Sequence, residues 1–182
     1  LDLAVTAYAF PHAGLAARDT VLVRRFRDGP PADLVRGNIV ALPPRTDTSP
    51  IMISHGYYLA LRYREVLLGT LAALPVDHDV AGPDSVTVNG VEVPEELLPE
   101  GFFEHSPGQD VTIDVGPDDV LVLFPPAMGG RWSNELDRNP EARTRFWEEL
   151  YRHGFTFPKA QLYGRPVAVY LPLLRRKFIS TQ

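Results

Sequence analysis

The chain has 182 residues, a net charge of −5 with both signs interspersed, and no cysteine, which excludes disulfides, zinc–thiolate sites and cysteine nucleophiles. It carries no basic stripe able to neutralise phosphates, so no nucleic-acid partner is expected. Eighteen prolines, about twice the usual share, interrupt the chain too often for long helices, and no apolar run reaches the roughly eighteen residues of a membrane span.

Residues 1–10 read as an ordinary first strand, with a lost anchor or signal segment before them as the alternative, since the chain opens on leucine. Residues 20–26 are β-branched and apolar and end at Asp28-Gly29-Pro30-Pro31, a strand followed by a turn. Residues 37–42 make a second strand, stopped by Pro43-Pro44, and 45–50 form a polar loop. Residues 57–74 are apolar up to Pro75 and read as one long strand or two. Asn89-Gly90 sits inside an alternating run over 84–93 and is a strong hairpin signal, because both residues tolerate positive φ. Residues 111–115 and 120–124 are two more short strands. One helix follows: Asn139 caps it, Pro140 suits its first position, Glu141 complements the dipole, and Gly154 stops it. Residues 162–173 close the chain as a strand ahead of the basic Arg175-Arg176-Lys177. Strands, one late helix and a last strand, without βαβ alternation or repeats, predict a mainly β, barrel-like single domain over 1–182.

Few residues have the spacing of a reactive site. The five histidines show no i, i+4 pair and no H-E-x-x-H, so no metal site and no cofactor is expected. Asp77-His78-Asp79 reads as an exposed turn, with cation binding as the weaker alternative. Gly129-Gly130-Arg131 lacks the frame of a phosphate loop, and no G-x-S-x-G elbow exists.

Six segments, in order, carry a resemblance. Arg18-Asp19-Thr20-Val21-Leu22-Val23 is similar to the G-D-x-V-L-V stretch of signal peptidase I and its pilin-maturing relatives, and Arg36-Gly37-Asn38-Ile39-Val40 to the R-G-D-I-V after it. Ala73-Leu74-Pro75-Val76-Asp77 resembles the G-L-P-G-D box, and Val86-Thr87-Val88-Asn89-Gly90 the L-Y-V-N-G hairpin. Gly154-Phe155-Thr156-Phe157-Pro158 and Leu162-Tyr163-Gly164-Arg165 resemble the G-F-V-P and I-V-G-R pair. Only the segment at about 131–153 departs, and it reads as an insertion bearing the helix.

The resemblance implies a signal-peptidase-like, β-barrel-type domain, an anchor preceding Leu1, and the extracytoplasmic (periplasmic) face of a bacterial inner membrane. In that family a serine is activated by a neutral lysine held in an apolar site. At the family's spacing the serine position falls on Phe10 and the lysine position on Gly69. The first serine of the chain is Ser49, and the only lysines are Lys159 and Lys177, so no slip of register supplies the dyad. Losing one member of such a unit removes most of its rate. The expectation is a degenerate serine endopeptidase that binds a peptide or protein segment as a scaffold, Phe10 filling the nucleophile's space and Gly69 leaving room beside it. The alternative is an active endopeptidase with rearranged residues, for which Ser54 and His55, the adjacent serine and histidine, are the first candidates. A third reading is an accessory subunit of a membrane-protein complex, with Trp132, Phe146 and Trp147 as aromatic anchors, against the blander and preferred reading that they pack the helix onto the core.

Overall fold

Short apolar runs separated by proline and glycine have few ways to bury themselves other than side by side, and the chain folds as a mainly β protein. In the computed structural model the described residues are 3–7, 20–43, 51–54, 57–59, 66–98, 102–103, 109–124, 138–171 and 177–178. The larger antiparallel sheet runs β1 (Leu3–Ala7), β2 (Thr20–Arg25), β13 (Gly164–Leu171), β3 (Ile39–Leu42), β6 (Leu67–Ala73), β11 (Asp119–Leu123), β12 (Thr156–Pro158), with β14 (Lys177–Phe178) also on β13. No pairing of β1 with β12 closes this path among the described residues.

Period-two alternation sends successive side chains to opposite faces, and at β3 and β6 both faces are largely dry. On β3, Val40 and Leu42 enter the main core while Ala41 joins a smaller cluster with Val21, Val23, Leu68 and Val169. β6 is buried from Leu68 to Ala73, which explains why residues 57–74 read as unbroken apolar sequence. That stretch contains two strands, β5 (Tyr57–Leu59) and β6, and β5 pairs with β4 (Ile51–Ser54) as a separate ribbon.

The second sheet runs β10 (Val111–Asp114), β7 (His78–Ala81), β8 (Val86–Val88), β9 (Val91–Glu92). The β8–β9 hairpin turns on Asn89 at φ 52° and Gly90 at φ 75°, the type I′ geometry that its sequence demands. Its core face carries Val86, Val88, Val111 and Ile113.

Helix α1 (Pro140–Glu149) begins as its sequence predicts, the Asn139 side-chain oxygen accepting the Ala142 N–H at 3.1 Å. Its end differs. Gly154 is not a left-handed cap; the chain widens into a π-helical stretch, Leu150–Phe155, and the Thr156 hydroxyl donates to the Tyr151 carbonyl at 2.7 Å. Phe146 and Trp147 are 2% and 1% exposed. Trp147 stacks among Phe102 at 5.3 Å, Tyr151 at 6.0 Å and Phe155 at 6.5 Å. The anchor reading of Phe146 and Trp147 is therefore corrected in favour of core packing: these rings fill the core, and no ring surface is left for a partner. Trp132 lies outside the described residues.

Candidate functional site

Three of the segments that carry the resemblance meet in one polar knot. Asp77 follows a turn over Leu74-Pro75-Val76-Asp77, closed by the Asp77 N–H donating to the Leu74 carbonyl at 3.1 Å. Its carboxylate takes a bidentate pair from Arg36, Nε at 2.9 Å and the terminal nitrogen at 2.6 Å. It also accepts the Leu74 N–H at 2.7 Å and the Asn89 side-chain amide at 2.8 Å. Asn89 Oδ1 in turn accepts the His78 N–H at 2.9 Å. Burial acts to raise the proton affinity of Asp77, but the Arg36, Leu74 and Asn89 hydrogen bonds outweigh it and hold the carboxyl below its ordinary range. The same ion pair raises the proton affinity of Arg36.

Val76 has φ 64°. The turn needs the left-handed region at this position, and a β-branched residue there is strained by about 1–2 kcal/mol. The box that this segment resembles has glycine at the corresponding place. Val76→Gly is therefore expected to stabilise the protein by about 0.5–1 kcal/mol, the relief of strain exceeding the chain entropy lost by glycine. Thermal unfolding should shift up by about 1–4 °C; a lower midpoint would contradict the strain argument.

Beside the knot lies a groove of about 200 Å³, smaller than the roughly 300–1,000 Å³ of small-molecule sites. Leu71, Ala72, Val88, Val93 and Leu97 line it, with Arg36 and Glu92 at its polar points. The Thr70 hydroxyl closes one end by donating to the Leu97 carbonyl at 2.7 Å. A space of this size accepts an apolar side chain or two.

The run Asp77-His78-Asp79 is neither an exposed turn nor a cation cluster. Strand alternation separates its members: Asp77 faces Arg36, His78 pairs with Asp114 at 2.7 Å on the surface, and Asp79 enters the core at 0% exposure. No cluster of metal-ligating side chains exists among the described residues. Both Asp79 carboxylate oxygens and the Tyr151 hydroxyl are buried without a hydrogen-bond partner. Burial pushes the Asp79 carboxyl up to about 7, opposed by His78 and reinforced by Asp77. Burial, then the Asp79 charge, raises Tyr151 well above the usual phenol range. Asp79 thus has the acidity of a general acid–base group, but it has no surface for a substrate to reach.

Gly69 sits mid-strand in β6, opposite Val40 of β3 and next to Thr70, which faces Leu123 of β11. A Cβ there would stand 2.7 Å from the Leu123 carbonyl oxygen and 2.7 Å from Val122 Cγ1. The expected room beside Gly69 is occupied by the neighbouring strand. Phe10 and His55 lie outside the described residues, and Ser54 ends β4. His78 pairs with Asp114 at one end of β7, and Ser85 lies beyond the other end, about 10 Å along the strand. Lys159 lies beyond β12, which pairs with the end of β11 opposite Leu123, roughly 13 Å along the strand from Gly69.

Sequence reasoning missed the knot and the Asp79–Tyr151 pair. The alternation of β7 carried a signal for the second: Ala81 and Asp79 share a face, so a strand with Ala81 inside has Asp79 inside too. No protein-family model matches the chain, and no curated protein matches it either.

Proposed function

We propose that the chain is a non-catalytic domain with the signal-peptidase-like frame, holding a peptide or protein segment on the extracytoplasmic side of a bacterial membrane. The observation that carries the reading is Gly69: where the resemblance puts a lysine, the backbone of β11 stands 2.7 Å from the first side-chain carbon. An amine cannot rise from that position, and Phe10 offers no nucleophilic atom. Two further features support the frame. Val76 has positive φ where the resembled box has glycine, and Arg36, Asp77 and Asn89, read from three separate motifs, share one hydrogen-bond network.

The test is to incubate the purified chain with membrane-anchored precursor peptides and follow both cleavage and capture. Mass spectrometry should find the precursors intact, while crosslinking recovers a complex. Specific cleavage abolished by Ser54→Ala would overturn the non-catalytic reading and establish an active endopeptidase instead.

A further inference from the structure

The exposed large apolar side chains among the described residues are Val35, Val76 and Val91, at 48%, 77% and 67% exposure. Each lies within two residues, along the chain, of a member of the polar knot. Val35 adjoins Arg36, Val76 adjoins Asp77, and Val91 follows Asn89-Gly90, so each flanks a member of the polar knot. Val91 also lines the groove. Val76 is the most telling, because valine there is strained and unburied in the uncomplexed chain; burial against a partner would give that apolar surface a use.

Beside Val91 the chain also offers backbone. Among the described residues β9 ends its sheet, paired with β8 alone. Val88 faces Val91, Thr87 faces Glu92, and the Val93 N–H donates inward to the Val86 carbonyl. In an antiparallel ladder inward and outward pairs alternate, so the Glu92 N–H and carbonyl point outward, away from β8. An extended segment laid here meets one donor, one acceptor and the apolar groove, which is how strand addition combines affinity with side-chain selection.

Charge narrows the occupant. Arg36 is neutralised by Asp77, whereas Glu92 on the groove and Glu95 and Glu96, between its lining residues Pro94 and Leu97, are exposed and make no ion pair among the described residues. Resting on the peptide-binding reading above, we infer that this face docks an extended apolar peptide segment flanked by lysine or arginine. An anionic lipid surface is disfavoured by the three glutamates, and a second copy would oppose the same acidic rim to itself.

The intact chain is titrated with a short fluorescein-labelled Val/Leu peptide flanked by lysines, and with a twin flanked by glutamates, reading polarisation. The lysine-flanked peptide should bind about tenfold more tightly, the sum expected of a few exposed charge pairs, and the preference should fade at about 1 M salt. Val91→Asp, at an exposed position, should abolish binding. Val76→Gly should weaken binding while raising the unfolding midpoint, an opposition that a merely structural role does not produce. Replacing Glu92, Glu95 and Glu96 by lysine should invert the preference between the twins. Equal affinity for both twins, or undiminished binding by Val91→Asp, would overturn this docking face while leaving peptide binding elsewhere on the chain intact. Failure to bind any peptide, with dimers in sedimentation or uptake by anionic vesicles instead, would overturn both readings.

Discussion

Raising the pH from about 4 to about 7 is expected to remove about 4 kcal/mol of folding stability through Asp79. The unfolded carboxyl has its ordinary value of 3.8, and the folded one is pushed up to about 7. Between those values the native state holds a proton that the unfolded state has lost, so stability falls as pH rises, at about 1.4 kcal/mol per unit. The contribution is complete below pH 3.8 and gone once the folded carboxyl has ionised above pH 7. Asp77 works in the opposite sense: its folded proton affinity is lowered, so its contribution is present above 3.8 and lost as pH falls further. Together these two groups place their combined optimum near pH 4, more acidic than the usual 5–8. Urea unfolding between pH 4.5 and 8 checks this. Asp79→Asn keeps the shape and removes the charge, so it should come within about 1 kcal/mol of the parent at pH 4.5, exceed it by a few kcal/mol at pH 8, and flatten the profile. A parent whose stability climbs between pH 5 and 7, or an Asp79→Asn variant with the parent's slope, would overturn the account. Against the 5–15 kcal/mol by which domains are stable, this is a large term for one side chain.

Returning a lysine to position 69 is expected to damage the fold without restoring chemistry. The first carbon added at Gly69 meets the Leu123 carbonyl oxygen at 2.7 Å, and that oxygen belongs to the backbone of a central strand. A flexible side chain can swing aside; β11, buried from Val120 to Leu123 and flanked by β6 and β12, cannot. Overpacking of this kind costs about 3 kcal/mol or more. Gly69→Ala should already lower the unfolding midpoint by several degrees, and Gly69→Lys should lower it further or prevent folding. Phe10→Ser combined with Gly69→Lys should show no cleavage of precursor peptides. A Gly69→Lys chain that melts with the parent would show that the strand yields, and would remove the main support for a closed base position.

Both expectations concern places where local pattern and tertiary environment disagree. By local physics alone, residues 20–26, 111–115 and 120–124 read as strands, Asn89-Gly90 as a hairpin turn, and Asn139-Pro140 as a helix start. Each of these is governed by neighbours within four residues: β-branching, the positive φ that Asn and Gly tolerate, a side chain capping an N–H three residues on. The late helix was legible, but its role was not. Trp147 on a helix face looks the same in sequence whether that face meets solvent, a partner or the cluster of Phe102, Tyr151 and Phe155.

What the amino-acid order determined by itself was a mainly β chain with one late helix, no thiol chemistry, and no serine or lysine where the resembled dyad requires them. The tertiary structure alone decided that β2 pairs with β13 from the far end of the chain, that Arg36, Asp77 and Asn89 meet, and that Asp79 faces Tyr151's side of the core rather than water. The reason is physical: turns and caps are set by contacts a few residues apart, whereas strand partners and burial are set by which distant surfaces exclude water together.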